Sequence, residues 1–326
     1  MSVSTIDSTD FGQLEPYRRA LTGYCYRMLA SPFDAEDAVQ ETFVRAWRAL
    51  DRFEDQGGMR PWLYRIATNV CLDTLRGRAR RALPMEIAPV ATGRFVLGPP
   101  RAEATWVQPI PDQLVSPAGG DPAEVAVSRE SIRLAFVAAL QHLLPRQRAV
   151  LILRDVLGWR ANEVAELLET SEDAVNSALR RARSALSAAD LDAIRPEPAG
   201  TERELLDRYV DAFEAYDVDA LVSLLHEEVR IAMPPFELWL QGLEDARSFL
   251  ASMKDEGGHD HVIPIAANGQ PAVAIWRPDA SSGVLQPYAL MVLEVADGRI
   301  ASILAFLDTA IFRAFGLPST VAATDG

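Results

Sequence analysis

The sequence has little sulfur and little imidazole: two cysteines and four histidines in 326 residues. Cys25 and Cys71 stand far apart in helical patterns, so a disulfide framework has nothing to rest on. Two buried free thiols in a reducing compartment are expected instead. No clustered Cys/His spacing occurs, so no metal site is expected. No apolar run reaches the roughly 18–20 residues that a membrane span needs. The segment MSVSTIDSTDFGQLEPYRRA has neither an apolar core nor a basic leader. No signal peptide is therefore expected, and the chain is read as cytoplasmic with no membrane partner. Internal repeats of fixed period are also missing.

What is present is ordinary globular composition, 49% hydrophobic and 24% charged, with length for two or three domains. The net charge of −14 speaks against nucleic acid until its distribution is read. Residues 201–326 hold 8 Lys and Arg against 20 Asp and Glu, whereas residues 1–200 hold 24 against 26. The front of the chain is near neutral and its charges are segregated. Arg76, Arg78, Arg80 and Arg81 make one basic patch, and Arg180, Arg181 and Arg183 make another. DNA binding depends on the local field at the contact, so the patches outweigh the total.

Residues 14–83 read as helices. Asp34 is a plausible N-cap, and Val39, Phe43, Ala46, Trp47 and Leu50 follow as one apolar stripe. Gly57 and Gly58 break the pattern, and Pro61 opens a helix expected to run to Arg81. Residues 84–127 contain eight prolines and read as an extended or loosely ordered linker. Helices resume over 128–190, and Pro196, Pro198 and Gly200 mark a second break. From residue 202 to about 316, amphipathic helices give way to strand-like runs with turns at Asn268-Gly269 and Asp297-Gly298, an α+β pattern.

The segment ANEVAELLETSEDAVNSALRRARSAL has helix-turn-helix spacing. Glu169-Thr170-Ser171 makes the turn, and Thr170 is expected to cap the second helix. Val175, Ala178, Leu179, Ala182 and Leu186 form its inner stripe. Asn176, Arg180 and Arg183 then face outward, with Ser177 and Arg181 beside them. Guanidinium groups contact phosphates or guanine edges, and an amide pairs with adenine. A helical hairpin with a solvated basic face has the same pattern.

The front of the chain carries DAEDAVQETFVRAWRALDRF followed by RPWLYRIATNVCLDTLRGRARR. This resembles region 2 of the sigma-70 family, particularly its extracytoplasmic-function (ECF) group, and the helix-turn-helix resembles region 4. The match spans roughly residues 14–190, and two motifs in the right order make it specific. The resemblance implies a transcription-initiation subunit with two partners. One is core RNA polymerase, bound at the clamp of its largest subunit and the flap of its second. The other is promoter DNA. Asp34, Asp37, Gln40, Glu41 and Arg45 match the clamp-docking segment. Arg65, Asn69, Arg76, Arg78 and Arg80 match the segment that opens and reads the −10 element. Trp62 and Tyr64 are candidates either for base stacking or for the core. Asn176, Ser177, Arg180, Arg181 and Arg183 match the −35 reader. Many relatives carry a basic or larger polar residue at the position of Ala178, so their promoter sequences do not transfer.

The C-terminal part resembles the SnoaL-like group of the nuclear transport factor 2-like superfamily. It does so through RYVDAFEAYDVDALVSLLHEEV, MPPFELWLQG and DGRIASILAFLDTAIFRAFGLP. The implied chain is multidomain. Two all-α sigma domains, a region 2 helical bundle (14–83) and a region 4 helix-turn-helix (128–190), precede an α+β cone-shaped SnoaL-like domain (202–316). Some SnoaL-like relatives use a pocket carboxylate in acid–base chemistry, which makes His226 and Asp308 the possible pocket residues. Asp308 reads equally well as a helix cap and His226 as surface. Fold alone does not bring chemistry with it. The expectation is a sigma factor without enzymatic activity or cofactor, regulated by its C-terminal domain with or without a small ligand. The alternatives are a sigma-like fusion whose C-terminal domain is an enzyme, and an activator that binds DNA without joining polymerase.

Overall fold

A computed structural model describes residues 12–53, 58–93, 95–115, 129–187, 201–254, 260–279, 282 and 284–321. The second break at 196–200 and part of the expected linker (116–127) lie outside them. The chain forms two compact units, one from residues 1–80 with 113–190 and the other from 81–112 with 191–326.

The first unit begins with helices α1 (Arg18–Leu29), α2 (Pro32–Ala49) and α3 (Met59–Leu75). Ser31, not Asp34, caps α2: its Oγ accepts the Asp34 N–H at 3.4 Å, and Pro32 occupies the first turn, where no N–H is needed. Helix α3 stops six residues before the expected Arg81. Gly77 takes φ +76°, a left-handed conformation that ends the helix and sends the arginines that follow into extended chain. Leu21, Tyr24, Met28, Val39, Phe43, Leu63 and Ala67 fill the core, and Tyr24 hydrogen-bonds Thr68 at 2.7 Å. Cys25 and Cys71 are free and buried, and burial raises the Cys71 thiol well above its usual range.

The same unit continues with α4 (Leu134–Gln141), α5 (Pro145–Leu151), a π-turn over Ile152–Val156, α6 (Ala161–Leu167) and α7 (Glu172–Ser187). Two buried guanidinium groups join its halves. Arg27 of α1 donates to Ser131 Oγ at 2.7 Å and to Gly23 O at 2.7 Å. Arg148 of α5 donates to Gln141 Oε1 at 2.6 Å and to the Met28 carbonyl. Burial lowers both pKa values to about 10. Their donors are spent on backbone carbonyls and on the side-chain oxygens of Ser131 and Gln141, which makes such burial tolerable.

The second unit is a six-stranded sheet in the order β2-β1-β6-β5-β4-β3: β1 (Leu225–Ala232), β2 (Trp239–Gln241), β3 (His261–Ala267), β4 (Gln270–Pro278), β5 (Leu285–Ala296) and β6 (Arg299–Phe306). Among the pairings of these six strands, the β1–β6 pairing is parallel and the others are antiparallel. Both expected turns occur, with positive φ at Asn268 and Gly269 and at Asp297 and Gly298. Helices α8 (Thr201–Glu214), α9 (Val218–Ser223) and α10 (Leu243–Lys254) cover one face. There Leu205, Tyr209 and Phe213 join Val273, Ile275, Met291 and Leu293 in a single core. Side chains alternate along a strand, so Ala272, Ala274, Trp276, Leu290 and Val292 point to the opposite face. They are buried too.

The cover of that second face corrects the linker expectation. Residues 81–112 lie in the second unit as a strap. Trp106, Val107 and Ile110 are buried in it. The Ile110 N–H donates to Asn268 Oδ1 at 2.9 Å, and the Asn268 N–H returns a bond to Ile110 O at 3.0 Å. Asp112 Oδ1 accepts the Gly269 N–H at 2.7 Å, and Trp239 Nε1 donates to Ala88 O at 2.8 Å. Proline breaks helices but leaves extended backbone whose remaining N–H and C=O groups can pair elsewhere. The fully buried Asn268 is the chief receptor. The short helix Ile311–Ala314 adds Phe312, edge-on to Trp276 at 5.0 Å.

Candidate functional site

On α2, Asp37 and Gln40 are exposed, and Glu41 and Arg45 are half-buried. Arg45 pairs with Glu41 at 2.7 Å and reaches Asp73 of α3 at 3.6 Å. Asp73 also pairs with Arg76 at 3.2 Å, and Asp34 with Arg78 at 3.1 Å. Two separate groups of ion pairs, Glu41–Arg45–Asp73–Arg76 and Asp34–Arg78, thus bring some of the expected docking residues next to some of the expected −10 residues. At this exposure each pair adds little stability and orients side chains instead. Trp47, assigned from sequence to the inner stripe, is 36% exposed. It lies seven residues from Gln40, two turns along the same outer side. An apolar side chain left on a polar helix face is the signal that periodicity alone overlooked.

Asn69 is exposed on α3, while Arg65 is half-buried with its Nε unpaired. Tyr64 is a core residue here, packed 5.2 Å from the Tyr24 ring and 5.2 Å from that of Trp159, with Arg60 over both Tyr64 and Trp159. Trp62 is half-buried against Phe53 at 4.6 Å. Arg80 contacts the His142 ring at 2.8 Å. Arg81 leaves the basic patch altogether. It is buried in the second unit and donates to the carbonyls of Glu103 at 3.0 Å and Trp106 at 2.8 Å.

The helix-turn-helix forms as expected, with one change at the cap. Glu169 takes φ +52° in the turn, and Ser171 rather than Thr170 caps α7, accepting the Ala174 N–H at 3.2 Å. Val175, Leu179, Ala182 and Leu186 are buried. Asn176, Arg180, Arg181 and Arg183 are exposed, and Ser177 is half-buried beneath Arg181 at 3.1 Å. Arg183 is already bidentate with Asp155 of the π-turn, at 2.8 and 2.7 Å, and that carboxylate raises its pKa.

In the second unit the two pocket candidates are separated. His226 is half-exposed on β1, and its Nδ1 accepts the Glu228 N–H at 3.2 Å. Asp308 begins the final helical turn, accepting the Ala310 N–H at 3.1 Å. Asp308 is also among the residues lining a small cleft, with Trp106 and Glu103 of the strap and Phe306 at the end of β6. His226 is not among the residues lining it. On the helix-covered side, Arg277 grips the buried Asp260 at 2.9 and 2.8 Å and lies 3.6 Å over the Tyr288 ring. Burial, and next the Asp260 carboxylate, push the neighbouring Tyr216 hydroxyl up to about 12.

A helical unit joined across by two buried arginines and bearing a helix-turn-helix, followed in the chain by a helix-covered sheet, has the architecture of a DNA-binding chain with an appended α+β domain. Known families resolve the class. Residues 14–81 match sigma-70 region 2, residues 133–186 match sigma-70 region 4, and residues 206–303 match the SnoaL-like domain. The ECF RNA polymerase sigma factor SigG of Mycobacterium tuberculosis is 47% identical over 317 residues, covering 94% of this chain and 83% of that protein. SigJ of the same organism is 32% identical over 221 residues, 68% of this chain and 63% of that protein. The crystal structure of M. tuberculosis SigJ superposes with a TM-score of 0.63 at 22% identity, covering 94% of this chain and 99% of that one, so the fold is shared. The chain belongs to the ECF RNA polymerase sigma factors. No helix among the described residues is long and apolar enough to cross a membrane.

Proposed function

We propose that this sigma factor docks on core RNA polymerase through the outer face of α2 and engages the −10 element with α3 and the arginines after it. The −35 element is read by α7. The C-terminal domain regulates these steps and catalyses nothing. Asp308 is held in a local turn by the Ala310 N–H and His226 lies elsewhere, so these two do not form an acid–base pair that would support an enzyme.

One observation carries the regulatory reading: most of the chain joining region 2 to region 4 is bound on the C-terminal sheet. The two promoter elements lie about 25 base pairs apart, about 85 Å along the duplex at ~3.4 Å per pair. A compact body of ~150 residues has a radius of gyration of only ~15 Å. Reading both elements therefore requires regions 2 and 4 to separate and the connector between them to extend. A connector held on the sheet resists that extension, and release favours it.

The test is run-off transcription with purified core polymerase and a genomic promoter library. Asn268→Ala combined with Asp112→Ala removes the side-chain bonds on both sides of the strap's attachment and should raise the transcript above that of the unaltered chain. An unchanged transcript contradicts the regulatory reading. Point variants are preferable to truncation near residue 200, which would strip Trp106 and Ile110 of their cover. Arg180→Ala should weaken −35 binding by about 1–3 kcal/mol if it reads a base. Equal affinity at specific and random sites would remove it from the interface.

A further inference from the structure

We propose that Asp155 and Arg183 are positioning residues that lock α7 in the orientation from which it reads the −35 element, and that Arg183 itself does not touch DNA. The inference rests on the reading of α7 as the −35 helix and divides the labour among its side chains.

The sequence pattern groups Arg183 with Asn176 and Arg180, but the structure sets it apart. At about 100° per residue, Arg183 stands about 70° from the middle of the buried stripe Val175, Leu179, Ala182 and Leu186. Arg180 and Arg181 stand about 130° from it, one on each side. Arg183 therefore borders the packed face, and the other two arginines point well away from it. It also lies far along the helix. From Glu172 to Arg183 the rise is about 16 Å, whereas the N-terminal residues of a recognition helix are the ones that enter a groove about 12 Å wide.

The guanidinium of Arg183 is already committed. Its Nε donates to Asp155 Oδ2 at 2.8 Å and its Nη2 to Oδ1 at 2.7 Å, a fork that fixes direction as well as distance. The mount beneath Asp155 is firm. Ile152 and Leu153 of the π-turn are fully buried. Ile152 O accepts the Leu157 N–H at 2.9 Å, Leu153 O accepts the Trp159 N–H at 2.9 Å, and Arg154 donates to the Trp159 carbonyl.

An exposed ion pair adds little stability, but a forked one on a fixed base holds an orientation. The apolar contacts of α7 lie in one stripe, so they resist lifting of the helix more than rolling about its axis. A tether at the edge of that stripe resists the roll. Rolling is the motion that would swing Asn176, Ser177, Arg180 and Arg181 off the bases.

The test uses holoenzyme assembled from core polymerase and the full chain. Its substrates are a promoter fragment found by run-off transcription and the same fragment with its −35 element scrambled. Asp155→Ala and Arg183→Ala should each lower the preference for the intact element about three- to tenfold. The double variant should lose no more than either single one, because the two residues act as a unit. Arg183→Lys keeps the charge but lacks the fork, so it should behave as Arg183→Ala does. Arg183→Ala should also leave the salt dependence of binding unchanged, whereas loss of a phosphate contact lowers its slope by about 0.9.

A direct contact predicts the reverse. Asp155→Ala would then free the guanidinium, remove a negative charge and tighten binding, and Arg183→Lys would keep most of the preference. Either of those results, additive losses, or an unchanged preference in both single variants would overturn the proposal. Hydrogen exchange in the free chain tests the lock without DNA. Asp155→Ala should quicken exchange at the α7 amides about threefold while those of α5 hold. Equal exchange would overturn the lock as well. The unaltered chain tells the two failures apart: if its holoenzyme ignores the scrambling, the reading of α7 falls and the proposal with it.

Discussion

The two faces of the C-terminal sheet are both buried, but by chain from different places. Val273, Ile275, Met291 and Leu293 are covered chiefly by α8, α9 and α10, which belong to the same stretch of sequence as the sheet, with Phe95 of the strap added beside Phe249 of α10. The opposite face is covered in part by the strap, whose Ile110 bonds to a residue 158 positions away. The first cover has no other duty and cannot leave without unfolding the domain. The second is also the connector between two promoter-reading modules, so its burial competes with extension. One sheet thus has a permanent face and an exchangeable one.

That contrast can be sharpened by substitution. Leu293→Ala on the permanent face should cost about 2–5 kcal/mol and shift cooperative unfolding of the whole C-terminal unit in a denaturant titration. Ile110→Ala should cost about 2 kcal/mol, near the lower end for such truncations, and loosen the strap rather than the domain. Hydrogen exchange would then rise at the strap amides while those of β5 and β6 hold. If both variants unfold the domain as one, the strap is not a separate unit and the contrast fails.

The smallest effect is alkaline. Tyr216 stands beside the permanent face, and its folded pKa of about 12 exceeds the ordinary value of 10.0. The folded state therefore favours the protonated phenol. Its contribution is fully present below pH 10 and is lost as the pH rises from 10 through 12. Tyr216→Phe should show a shallower alkaline loss of stability than the unaltered chain. Burial alone raises Tyr209 further, so that residue keeps part of the loss. Identical pH profiles would show that Tyr216 is not held by burial and Asp260.

Local signals in the sequence were reliable wherever the partners are local. The helix-turn-helix, the Asn268-Gly269 and Asp297-Gly298 turns and the strand alternation need only neighbouring residues, and all occur. Caps failed by a few residues because several polar side chains compete at a helix start: Ser31 displaced Asp34, and Ser171 displaced Thr170. Arg81 and the strap were illegible for another reason. Their hydrogen-bond partners lie far away in sequence or are main-chain carbonyls, and prolines show only that helix and central strand are excluded. The cleft followed the same pattern: Asp308 was visible as a candidate, but Glu103 and Trp106 reach it only through the strap. Trp47 was assigned inward because an aromatic residue at helical spacing reads as core.

The most direct test of the exchangeable face is hydrogen exchange of residues 81–112 in the free sigma factor and after assembly with core polymerase and promoter DNA. In the free chain the amides of Ala82, Ala91, Arg101, Val107 and Ile110 are bonded within the second unit and should be protected. On assembly they should lose that protection while α7 gains it. Strap amides that stay protected in a complex where α7 has become protected would contradict the account, because the C-terminal domain would then keep its hold on the connector during promoter recognition.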